Sequence, residues 1–92
     1  MSTNLKDYEG ALKYAFAQTY ASQPKDWTVS NNAVNEKGRP TAEFTNAALG
    51  ITLQVTDGGA REDGAVEFSA KRVGADDVIN MAVPSNWKHL RT

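Results

Sequence analysis

From Ile51 to Val83, apolar side chains recur at alternate positions in three runs, and two glycine-bearing segments separate those runs. Successive side chains of a strand point to opposite faces of a sheet, so a period of two marks strands that are apolar on one side only. The first break, Asp57-Gly58-Gly59-Ala60-Arg61-Glu62-Asp63-Gly64, reads as a hairpin loop, and the second, Gly74-Ala75-Asp76-Asp77, as a turn. Closing the first on Thr56 and Ala65 sets Val55 opposite Val66, Leu53 opposite Phe68 and Ile51 opposite Ala70. Closing the second on Val73 and Val78 sets Ala70 opposite Met81 and Phe68 opposite Val83. Both closures place Ile51, Leu53, Val55, Val66, Phe68, Ala70, Ile79, Met81 and Val83 on one face. The other face carries Thr52, Gln54, Thr56, Glu67, Ser69, Lys71 and Asn80, and is polar.

Upstream, Trp27, Val29, Asn31 and Ala33 alternate with Thr28, Ser30 and Asn32 before the turn signal Glu36-Lys37-Gly38-Arg39. A two-residue Lys37-Gly38 loop would set Ala33 opposite Ala42, Asn31 opposite Phe44 and Val29 opposite Asn46. Parity then changes: Ala42 and Phe44 are even-numbered, whereas Ile51, Leu53 and Val55 are odd. One continuous strand cannot present both sets to the same side, so a bulge or bend is expected within Asn46–Gly50.

Before these strands, Leu5, Tyr8, Leu12, Ala15, Phe16 and Thr19 recur at three- and four-residue spacing, the pattern of a one-sided helix over Leu5 to Ser22. Asn4 can cap it, Asp7 suits its first turn, and Pro24 stops it. The expected fold is α+β: an N-terminal helix packed on a mostly antiparallel sheet of about four strands, one of them bent or bulged. Ninety-two residues suit one such domain, spanning 1–92.

The residue inventory excludes several chemistries. No cysteine is present, so a disulfide framework, a thiolate metal site and a cysteine nucleophile are all ruled out. His89 is the only histidine, with no nearby carboxylate in sequence to orient it and no Gly-x-Ser-x-Gly elbow elsewhere. The acidic pairs Glu62-Asp63 and Asp76-Asp77 fall in turns, where aspartate commonly bonds backbone N–H groups. The glycines of the 57–64 loop lack the Lys-Ser/Thr of a phosphate-binding loop, and its acids lack calcium-loop spacing. No catalytic set, metal site or cofactor is expected, and neither is a small-molecule substrate.

Ten basic and eleven acidic residues give a net charge of −1, which argues against a dedicated binder of nucleic-acid backbone. The terminal residues 1–6 show no signal-peptide pattern, and no apolar run approaches membrane-spanning length, so a cytoplasmic protein without membrane contact is expected. What is left for contact is surface. Lys71-Arg72 and Lys88-His89-Leu90-Arg91, with Trp87 beside the second, are the clustered cations. Such ends can dock on an acidic protein or touch a phosphate backbone. Tyr14 falls away from the helix's apolar stripe and Tyr20 at its edge, positions open either to packing or to an interface.

In size, balanced charge and missing chemistry, the whole chain resembles the small inhibitors encoded by phages and mobile elements, anti-CRISPR proteins among them. The resemblance carries no residue match and transfers no site. It implies a non-enzymatic protein that docks on a larger protein or ribonucleoprotein complex and inhibits or modulates it. The alternatives are a small structural component of the virion kind, and a nucleic-acid-binding module using the basic C-terminal residues.

Overall fold

The computed structural model describes residues 5–84. A 3-10 turn, Leu5–Tyr8, leads into helix α1, Glu9–Thr19. After a second 3-10 turn, Pro24–Asp26, come five strands: β1 Trp27–Val34, β2 Pro40–Asn46, β3 Ile51–Ala60, β4 Val66–Arg72 and β5 Val78–Val83. They form one antiparallel sheet in sequence order, leaving β1 and β5 as its edges. The architecture is the expected α+β helix-on-sheet, with five strands rather than about four.

The fifth strand comes from the parity change. Asn46 to Gly50 is neither bulge nor bend: the chain reverses there, and β2 and β3 pair antiparallel with Phe44 opposite Leu53. Asn46 makes the reversal possible, because its Oδ1 accepts the Leu49 N–H at 3.1 Å. Gly50 completes it with φ +69°, a left-handed conformation that costs glycine little. A reversal also lets even residues of β2 share a face with odd residues of β3, which one continuous strand could not do.

Bulges occur elsewhere. In β1 the register shifts between Ser30 and Ala33, with Asn31 at φ 54°. In β3 it shifts between Asp57 and Gly59. Because β3 continues through Gly58 and Gly59 to Ala60, the β3–β4 loop is shorter than expected, and Arg61 N–H closes it on Ala65 O. Val55 therefore faces Ala70 rather than Val66. In β5, Met81 faces Phe68 rather than Ala70. The first hairpin differs too: Asn35 Oδ1 accepts the N–H groups of Lys37 and Arg39, the loop spans five residues, and Val29 faces Phe44.

The helix lies across one sheet face, and aromatic contacts trace its course. Tyr8 stacks against Phe68 of β4 at 5.4 Å between ring centroids. One helix length later, Phe16 meets Phe44 of β2 edge-on at 5.3 Å and Trp27 of β1 at 5.6 Å. Leu5, Leu12, Phe16 and Ala17 are buried here with Trp27, Ala42, Phe44, Leu53, Val55, Val66, Phe68, Ala70 and Val83. Met81, Ile79 and Ile51 pack on this core but are only partly buried, since Ile79 and Met81 belong to edge strand β5.

The helix ends at Thr19, short of Ser22, because Ala21 turns left-handed at φ 50°. The Ser22 N–H then reaches back to Ala17 O at 2.7 Å, and Ser22 Oγ accepts the Trp27 indole N–H at 2.9 Å. That last bond satisfies the polar end of a side chain otherwise sealed in the core. The expected cap, Asn4, lies outside the described residues.

A candidate docking surface on the open sheet face

With the helix on one side, strand alternation leaves the opposite face of the sheet uncovered by any described element. Cross-strand pairing arranges it in rows. Thr28, Thr45 and Thr52 lie side by side, with Thr45 and Thr52 hydroxyls 3.2 Å apart. The next row runs Ser30, Glu43, Gln54, Lys71 and Val78 across all five strands. A third runs Thr41, Thr56, Ser69 and Asn80. Short hydroxyl side chains make most of this face flat and polar, as the alternation pattern expects.

One corner departs from that pattern. Val73 and Val78 are 60% and 50% exposed, which is unusual for valine on a sheet. Val73 follows Lys71 by two residues, and Val78 lies directly opposite Lys71 on β5, so all three share the open face. The Val73 N–H bonds Thr52 O at 2.9 Å, holding the β4–β5 turn against the start of β3. A groove of about 450 Å³ opens here, lined by Gln54, Lys71, Arg72, Val73, Gly74 and Asp76. Leu49, 45% exposed, stands on the β2–β3 turn at the same end of the sheet. Among the described residues Lys71 enters no salt bridge within 4 Å. The corner thus combines an ammonium with two bare aliphatic side chains.

The cations adjacent in sequence do not act together. Arg72 pairs with the buried Leu53 and so belongs to the helix side, while Lys71 belongs to the open side. Arg72 is also engaged, its Nη2 lying 3.3 Å from Asp77 Oδ2. Tyr20 is not a contact residue either: its ring packs on Trp27 at 5.8 Å, on the flank of the core. Tyr14 is 46% exposed on the helix, away from the sheet corner by its place on α1. Trp87, Lys88 and Arg91, with His89, lie outside the described residues.

Val73 and Val78 are the part that sequence reading passes over. Read as the closing pair of a hairpin, two valines look like ordinary strand ends. The signal is parity: Val73 shares Lys71's face and Val78 shares Asn80's, both polar.

The acidic residues are occupied with backbone. Asp63 Oδ1 accepts the Ala65 N–H at 3.1 Å, and Asp57 Oδ1 accepts the Gly59 N–H at 2.6 Å, shaping the β3 bulge. Asp57 is 2% exposed and lies opposite Phe68 on the helix side, with Oδ2 lacking a hydrogen-bond partner. Among the described residues, no group of three or more histidine, aspartate or glutamate side chains could hold a metal ion, and no helix is long and apolar enough to cross a membrane. Comparison of the chain with protein-family models, curated protein sequences and solved structures finds no match.

Proposed function

We propose that this is a non-enzymatic binding protein that docks on a larger macromolecular assembly through the Lys71 corner of its open sheet face. Docking inhibits or modulates that assembly, in the manner of small phage-encoded inhibitors of the anti-CRISPR kind. The observation that carries this reading is the exposed Lys71 set between exposed Val73 and Val78 on a face that no described element covers. Interface centres combine apolar anchors with a few polar contacts, and this corner offers both beside a groove that a partner side chain can enter. The partner's chemistry follows from the ammonium: an acidic protein groove, or a phosphate backbone already held by a protein, in the cytoplasm.

A free-standing nucleic-acid reader has less support. The open-face rows carry no aromatic side chain on which a base could stack, and net charge is −1. Contact to a nucleic acid would come through the assembly that presents it.

A photo-crosslinking residue at position 78 tests the reading, with the same residue at position 34 as control. Val34 is 65% exposed but stands at the far end of β1. In lysate from cells that make the protein, Val78 substitution should yield one dominant covalent adduct with a component of a large complex, and Val34 substitution should not. Equal adducts from both positions, or none from position 78, would remove the corner from consideration.

A further inference from the structure

The two sheet edges are built differently. β1 is blunted: the bulge at Asn31 interrupts its ladder, and the Asn31 side chain bonds Glu43 Oε1 at 2.8 Å. Bulges and charges are the usual devices that keep an edge from pairing with another chain. β5 has neither. Val78–Val83 pairs with β4 without a register shift, and its sequence, VINMAV, contains no charge and no proline. Two of its apolar side chains, Ile79 and Met81, face the helix side yet stay partly exposed at the rim of the core.

We infer that β5 is the seam of a homodimer, in which two copies pair their β5 strands antiparallel about a two-fold axis through Asn80. Strand chemistry selects this register. The Arg72 N–H donates to Asp77 O, and bonded and non-bonded pairs alternate along an antiparallel ladder. Ala70–Ile79 and Phe68–Met81 are then bonded pairs, so the N–H and C=O groups of Val78, Asn80 and Ala82 point outward. Centring the axis on Asn80 makes three bonded pairs: Asn80 with the partner's Asn80, and Val78 with the partner's Ala82 in each direction. Directly opposed residues share a face, so the same register sets Ile79 against the partner's Met81 and closes the rim over both cores.

Charge agrees with the pairing. On the open face the row Gln54–Lys71–Val78 continues into the partner's Ala82 and Glu67, so each lysine row ends on a glutamate rather than on a second lysine. Three strand spacings of about 4.8 Å and four residues of about 3.4 Å put the two lysines roughly 20 Å apart on one continuous ten-stranded face. The contact is small. Six residues per strand bury less than the roughly 1,200 Å² of a standard interface, so association belongs in the range of tens of micromolar.

The dimer does not depend on the Lys71 docking reading, and Asn80→Lys tests it while leaving Lys71 in place. That substitution sets two ammonium groups face to face on the axis and is exposed in the monomer. In sedimentation from about 10 to 500 µM, wild-type mass should rise from 10.0 kDa toward twice that value. Asn80→Lys should stay monomeric over the same range with an unchanged melting temperature. Because the chain has no cysteine, Asn80→Cys should form a disulfide dimer on mild oxidation, faster than Met81→Cys does. A wild-type monomer throughout overturns the inference, whether the outward amides of β5 exchange freely or are protected by another part of the chain. So does a dimer that survives Asn80→Lys, or one that Met81→Cys crosslinks faster.

Discussion

Phe16→Ala is expected to lower the unfolding free energy by about 4–5 kcal/mol, at the upper end for a buried aromatic. Phe16 is fully buried and is the hinge of the helix–sheet contact, touching Trp27 and Phe44 at once. Truncation removes the transfer free energy of the ring, both aromatic contacts, and the filler between α1 and the β1–β2 end of the sheet. Nothing polar beside it is orphaned in the contacts described, so the cavity is apolar and stays empty. A domain of this size holds only about 5–15 kcal/mol in total, so the variant should melt tens of degrees lower or fail to fold at 37 °C. Urea unfolding followed by tryptophan fluorescence measures it, and a loss below about 1 kcal/mol would mean that the helix does not seat on β1 and β2 as described.

Phe68→Ala should cost less, about 3 kcal/mol, although the same number of atoms is removed. The difference lies in the neighbour. Phe68 stands opposite Asp57, whose Oδ2 is buried without a hydrogen-bond partner. A cavity opened there has a carboxylate in its wall and can admit a water that bonds it, which recovers part of the loss. On the helix side Tyr8 loses its ring contact at 5.4 Å. Denaturant unfolding of both variants on one axis should give the order Phe16 above Phe68. The reverse order would indicate that Asp57 is not beside the ring, and with it that the β3 bulge is misplaced.

Why the sheet faces are legible from sequence while the pairings are not follows from one geometric fact. The observed partner of Val55 is Ala70 rather than Val66, a shift of four, and that of Met81 is Phe68 rather than Ala70, a shift of two. Even shifts leave every side chain on its face, and only odd ones would turn the core outward. Apolar periodicity therefore reports the face and is blind to even slips. Loop length settles the pairing, and composition misleads there: Asp57-Gly58-Gly59-Ala60 has the look of a turn, yet β3 runs through it by means of a bulge. The reversal at Ala47–Gly50 hides for the opposite reason. Two alanines and a leucine give no turn signal, and the decisive bond, from the Leu49 N–H to the Asn46 side chain, involves a residue whose other neighbours make it look like part of a strand.

For the candidate site, sequence clustering of Lys71 with Arg72 obscures what alternation makes plain. Neighbours in a strand cannot serve one surface, so the pair is one open-face cation and one helix-side cation held by Asp77. The exposed valines that complete the corner emerge only when Val73 and Val78 are assigned to faces by the same rule.

That division supplies the most direct test of the docking surface. Once the Val78 adduct has identified the partner, its affinity should be measured for Lys71→Glu and Arg72→Glu side by side, at low and moderate salt. Both substitutions are on the surface, and the ion pair lost with Arg72 is worth no more than about 1 kcal/mol, so both variants should unfold near the wild-type temperature. Lys71→Glu should weaken binding by at least about tenfold, with the wild-type salt dependence largely abolished. Arg72→Glu should stay within about threefold of wild type, as expected for a charge facing away from the partner. Equal losses from both variants, or a greater loss from Arg72→Glu, would contradict docking through the open sheet face.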